Sequence, residues 1–133
     1  MSVPLPEFAE ALAAVLRDLR AQCAVQPDVV ADEDGPGVVL WAPDGSGQGV
    51  YAEPDGRSAV LLVDVAEQVQ TWAVEALWAA GEPTVWPRCP EHPGSHPLTA
   101  AVEKGAAVWV CPRTATVASR VGELPTCRVG DRP

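Results

Sequence analysis

The chain has 133 residues, 47% of them hydrophobic and 20% charged, a composition that suits one folded domain, or one with a small appended module, and argues against intrinsic disorder. Eighteen acidic against nine basic residues leave a formal net charge of −9. That balance disfavours nucleic acid and anionic membrane surfaces as partners, because phosphate would be repelled.

The N-terminus, Met1-Ser2-Val3-Pro4-Leu5-Pro6-Glu7, has neither a basic region nor an uninterrupted apolar core, so it does not read as a signal peptide. Apolar runs elsewhere, around Val60 to Val63 and Ala106 to Val110, are strand-length and fall short of the roughly 20 residues a membrane span needs. A cytoplasmic location is expected. Leu5, Phe8, Leu12, Val15, Leu16, Leu19 and Cys23 then recur at three- and four-residue spacing, which predicts an amphipathic helix with Glu10, Arg17, Asp18 and Arg20 on its polar face. Gln26-Pro27-Asp28 supplies its stop, and Cys23 reads as a buried structural thiol.

From Asp28 to Val63 short apolar runs alternate with turn chemistry. Gly37 to Ala42, Gly49 to Glu53 and Ser58 to Val63 read as strands of an antiparallel meander, joined at Pro43-Asp44-Gly45-Ser46-Gly47 and Pro54-Asp55-Gly56. Asp32-Glu33-Asp34 lacks the strict spacing of a calcium loop and reads as a solvated turn. A second helix is predicted from Asp64, where Asp64-Val65-Ala66-Glu67 resembles a capping box, to about Ala80, before Gly81 and Pro83. Its stripe is Val65, Val69, Trp72, Ala76 and Ala79; Trp78 falls off it and is the expected exposed contact aromatic for a basic protein partner. Residues 1–82 carry three basic against fourteen acidic residues, a net of −11, whereas residues 83–133 carry six against four, a net of +2.

The expected fold class is therefore α+β. Residues 1–82 form an acidic two-layer unit of helix, antiparallel β-meander and helix, and residues 83–133 a small three-stranded β module. The order of elements in the first unit resembles small acidic secretion-chaperone-like domains, a likeness of fold alone.

In the second unit the predicted strands are Leu98 to Val102, Ala107 to Cys111 and Ala115 to Val121, with Glu103-Lys104-Gly105 closing the first hairpin. That pairing carries Cys111 back beside Cys89-Pro90-Glu91-His92. Pro90 fixes the turn after Cys89, Pro93-Gly94-Ser95 returns the chain to His96, and Cys89, His92, His96 and Cys111 become the expected metal ligands. Two thiolates and two imidazoles suit zinc. A Cys89–Cys111 disulfide is the rival reading, but four cysteines without an export signal fit a reducing compartment.

Cys89-Pro90-Glu91-His92 and Trp109-Val110-Cys111-Pro112 together resemble the two knuckles of a zinc ribbon, in which a Cys-Pro-x-[Cys/His] turn is followed by a hairpin and an aromatic-x-Cys-Pro-x-Cys turn. Thr114 stands where that family places its last cysteine, so His96, with Cys127 in reserve, is the substitute fourth ligand. Together with the Ala-, Val- and Arg-rich composition, the segment also resembles uncharacterised actinobacterial proteins. Four protein ligands imply a structural site, and no His-Glu-x-x-His, Gly-x-Ser-x-Gly, deaminase or phosphate-loop pattern accompanies it. The expected function is a non-enzymatic adaptor or regulatory protein-interaction module. The alternative is a small zinc-dependent hydrolase with one open coordination position and Glu91 as its base.

Overall fold

Residues 6–33, 35, 37–51, 58–92 and 94–125 are described by the computed structural model. Its elements run α1 (Pro6–Gln22), β1 (Asp28–Ala31), β2 (Val38–Trp41), β3 (Gly47–Val50), α2 (Ser58–Ala79), β4 (Thr99–Glu103), β5 (Ala106–Val110) and β6 (Val117–Arg120). Both sheets are antiparallel, ordered β1-β2-β3 and β4-β5-β6, so the molecule is mixed α+β. Among the described residues no helix is long and apolar enough to cross a membrane.

The largest departure from expectation is at Ser58 to Val63, which is the first part of α2 and not a strand. The run Val60-Leu61-Leu62-Val63 has strand-like composition, but Leu61 stands four residues before Val65 and eight before Val69, and all three are buried on one side. Continuity of that stripe wins over the short apolar run. The helix therefore does not begin at Asp64, which lies in its second turn, and no capping box operates there. The first sheet recovers its third strand at the other end: β1 pairs with β2 from Asp28 opposite Trp41 to Ala31 opposite Val38.

In the first sheet, β2 buries Val38 and Leu40 and turns Trp41 outward. Strand β3 begins two residues earlier than expected because the β2–β3 turn is short, with Trp41 opposite Gly47. Asp44 organises this turn by accepting from the Ser46 amide at 2.9 Å and the Ser46 hydroxyl at 2.6 Å, while Gly45 takes the left-handed conformation at φ 92°. Glu53 and the Pro54-Asp55-Gly56 turn lie outside the described residues, as does Asp34.

Helix α2 is the hub. It packs along α1 and also touches β3, β4 and β5, so that both sheets share it. One buried cluster runs from Phe8, Val15 and Leu19 on α1 through Val65, Val69 and Trp72 on α2 to Trp86, Leu98, Trp109 and Leu124. Each such side chain stabilises the fold by roughly 1.5–3 kcal/mol. Cys23, just beyond α1, is half-buried against this cluster, and burial raises its thiol pKa against a weaker hydrogen bond from Val25.

Asp18 corrects the expected polar face of α1: it has no solvent exposure. Its Oδ2 accepts from Trp109 Nε1 at 2.8 Å and the Gly122 amide at 2.6 Å, and its Oδ1 from the Leu124 amide at 3.0 Å. Arg17 donates to the Gly122 carbonyl beside it. One buried carboxylate, satisfied by three donors, thereby ties α1 to β5 and to the segment after β6.

Candidate metal centre

The site is assembled from two turns that flank the second sheet. The first is a loop closed at its base, where Arg88 bridges Pro97 and the Leu98 amide donates to the Pro87 carbonyl at 2.9 Å. Within it the His92 amide donates to the Cys89 carbonyl at 3.1 Å, and the Ser95 amide to the His92 carbonyl at 3.0 Å. Gly94, at φ 109°, supplies a conformation that a side chain would strain, and lets His96 return towards Cys89. Gln70 of α2 anchors the loop from beneath: its Nε2 donates to the carbonyls of Trp86 at 3.1 Å and Leu98 at 2.7 Å.

Cys111 comes from the β5–β6 connection. The β4–β5 hairpin turns through Lys104 and Gly105, both at positive φ, and pairs Thr99 with Val110, which places Cys111 one residue past the start of β4. The chain then curls through Ala115, whose amide donates to the Cys111 carbonyl at 2.8 Å, before the Cys111 amide meets the Thr116 carbonyl at 2.9 Å. This is the hairpin expected from the sequence, with strand ends shifted by a residue or two.

Four donor atoms, one each from Cys89, His92, His96 and Cys111, all lie within 4.8 Å of one another. His92 Nδ1 is 3.5 Å from Cys89 Sγ and 3.6 Å from Cys111 Sγ; His96 Nε2 is 3.9 Å from Cys111 Sγ and 3.1 Å from His92 Nδ1. A tetrahedral ion with sulfur at about 2.3 Å and nitrogen at about 2.0–2.1 Å requires S···N edges near 3.5 Å and N···N edges near 3.3 Å. The measured separations are those edges to within a few tenths of an ångström. The four residues are placed to bind a metal ion, and their donor set is compatible with zinc.

The surroundings suit the ligands to that task. His96 Nδ1 lies 3.1 Å from the Pro97 carbonyl, a contact that holds the proton on Nδ1 and turns the Nε2 lone pair towards the other ligands. Cys89 and Cys111 are buried, at 0% and 1% exposure, and are free thiols, so the disulfide reading is not what the structure contains. Desolvation opposes ionisation of Cys111, but hydrogen bonds from Thr114, the Arg113 amide and Cys89 outweigh it and bring the thiol down to about 6.

Thr114 and Glu91 have positions the sequence did not foretell. Thr114 Oγ1 donates to Glu91 Oε1 at 3.1 Å, which links the two ligand turns across the site. Glu91, the candidate base, thus has a bridging contact. Trp86 and Trp109 are fully buried in the same cluster as Cys89 and Cys111, with ring centroids 5.5 Å apart in an edge-to-face arrangement. Cys127, the reserve ligand, lies outside the described residues. Trp78 is 79% exposed, as its departure from the helix stripe suggested.

Sequence reasoning missed Asp18, Gln70 and the Glu91–Thr114 bridge. Asp18 alone had a signal, since it follows buried Ala11 by seven residues and so returns to the same side of α1. No protein-family model matches this chain, and no curated protein or solved structure is significantly similar to it.

Proposed function

We propose that this is a small acidic zinc-binding protein without enzymatic activity, in which a structural zinc site stabilises a ribbon-like module and the whole serves as a cytoplasmic adaptor or regulatory protein-interaction domain. The observation that carries the reading is the convergence of the Cys89, His92, His96 and Cys111 donor atoms, all within 4.8 Å of one another. Four protein ligands fill a tetrahedral coordination sphere, whereas a catalytic zinc keeps one position for water or substrate. Two thiolates would balance the charge of the ion where two cysteines are buried. Binding of zinc to comparable small modules is worth roughly 10–16 kcal/mol in apparent terms, enough to hold together a sheet with little core of its own.

The ribbon resemblance supports the same reading through Cys89-Pro90-Glu91-His92 and Trp109-Val110-Cys111-Pro112, with His96 taking the part of the cysteine that Thr114 replaces. A binding role is supported by exposed Trp78, which lies in the strongly acidic first 82 residues of the sequence. The deciding experiment is elemental analysis of protein purified without added metal, as wild type, His96→Ala and Cys111→Ser. One equivalent of zinc in the wild type, lost from both variants, is expected. Zinc kept by His96→Ala would point to three ligands and an open position, and a metal-free wild type would refute the proposal.

A further inference from the structure

We infer that the groove between the β2–β3 turn and the C-terminal half of α2 receives an extended, arginine-bearing segment of a partner protein; the inference deepens the interaction reading above and rests on it. The groove has a volume of about 530 Å³ and is walled by Asp44 and Gly47 on the sheet side and by Trp72, Glu75 and Trp78 on the helix side. That volume lies within the usual range of ligand pockets. Trp72 is 3% exposed and packed into the core, so the base of the groove is rigid, whereas Trp78 keeps 79% of its surface open.

The charge of the groove has one sign. Glu75 precedes Trp78 by three residues on α2, so the carboxylate and the indole are neighbours on the helix surface. Across the groove Asp44 is fixed by Ser46, and those hydrogen bonds hold its carboxyl below the usual range. Among the described residues no basic side chain lines the walls. Between residues 21 and 87 the sequence has a single basic residue, Arg57, which lies outside the described part of the chain.

An exposed indole flanked by carboxylates selects a planar cation. Guanidinium stacks on the ring face and donates paired hydrogen bonds to carboxylate at the same time, which ammonium does less well. The surrounding negative charge would steer such a segment in and repel nucleic acid. The apolar part of the groove, from Ala42, Gly47, Val74 and Ala76, would take the aliphatic side chains between the arginines.

The test uses the zinc-loaded full chain and a fluorescein-labelled peptide that alternates arginine with leucine, read by fluorescence anisotropy, with zinc content measured on the same samples. The arginine peptide should bind and its aspartate counterpart should not. Trp78→Ala and Glu75→Gln should each weaken binding at least about fivefold, while Glu103→Gln, at an exposed carboxylate on β4, should leave it unchanged. Equal weakening by Glu103→Gln would mean diffuse charge attraction and overturn the assignment. Sedimentation as a dimer that Trp78→Ala dissociates would give the groove to a second copy, and also overturn it. Binding that survives both groove variants but is lost in Trp41→Ala would move the partner to the outer face of the first sheet, refuting the groove while keeping the interaction role. No peptide binding with zinc retained would refute the groove without touching the metal site.

Discussion

Trp109 donates its indole proton to Asp18 across 91 residues of sequence, in a bond of 2.8 Å that is shielded from solvent on both sides. Trp109 stands two residues before Cys111, so the strand that leads into a candidate metal ligand is fastened to the first helix by a buried carboxyl group. The second sheet is therefore fastened near the end of β5 by the bond from Trp109 to Asp18 of α1, beside the candidate ligand cluster that Cys111 enters.

Replacing Asp18 with asparagine should destabilise the protein by about 2 kcal/mol, because the amide nitrogen would face at least one of the three N–H donors that now converge on the two oxygens of the Asp18 carboxyl. Burial raises the Asp18 carboxyl above its ordinary value of 3.8, against the opposing effects of Trp109, Gly122, Leu124 and Arg17. A carboxyl whose folded pKa lies above its unfolded value stabilises most when protonated. Its contribution is fully present below 3.8 and is lost as pH rises through the folded value. Urea denaturation of wild type and Asp18→Asn across that window should show the wild-type advantage shrinking as pH rises; an advantage that grows would contradict the burial argument.

The position of Thr114 in the second turn, three residues after Cys111, makes it the natural place for a replacement ligand. Zinc affinity of His96→Ala should fall at least about tenfold, and the double variant His96→Ala, Thr114→Cys should recover it with a three-thiolate, one-imidazole donor set. Cobalt substitution would report the change in ligands by its absorption spectrum. Failure of the cysteine to restore binding would separate this turn from the zinc-ribbon pattern.

Two glycines of the first sheet should respond in opposite ways. A Cβ on Gly37 would sit 2.1 Å from the Val50 carbonyl oxygen and 2.8 Å from Tyr51 Cβ, so Gly37→Ala must displace backbone and should cost about 3 kcal/mol. A Cβ on Gly49 meets nothing within 4 Å, and Gly49→Ala should lie within about 0.5 kcal/mol of wild type. Thermal unfolding of the pair checks the packing of β3 directly.

Gln70→Ala should loosen the first ligand loop without removing a ligand. It deletes two hydrogen bonds, to Trp86 and Leu98, at a cost of about 1–2 kcal/mol. If the loop is positioned from α2, zinc affinity measured by chelator competition should fall with stability. Unchanged affinity would mean that the turn at Cys89 to Ser95 holds its shape unaided.

Much of the site was legible because its determinants are local. A proline after each cysteine, a glycine between the histidines and a two-residue Lys104-Gly105 turn set the directions of the chain, and antiparallel pairing of β4 with β5 does the rest. The start of α2 was not legible, because four consecutive apolar residues at Val60 to Val63 satisfy strand and helix patterns alike until their spacing to Val65 and Val69 is weighed.

By itself, then, the amino-acid sequence determined the candidate ligand cluster, the mixed α+β class, the β4–β5 hairpin and the exposure of Trp78, all of which follow from turn chemistry and periodicity over a few residues. Only the tertiary structure decided that Asp18 is buried, that α2 serves both sheets, and that Gln70 and the Glu91–Thr114 bridge brace the ligand turns. Each of these joins residues far apart in the chain, and Asp18 is buried because distant donors satisfy it, a condition that composition and spacing do not encode.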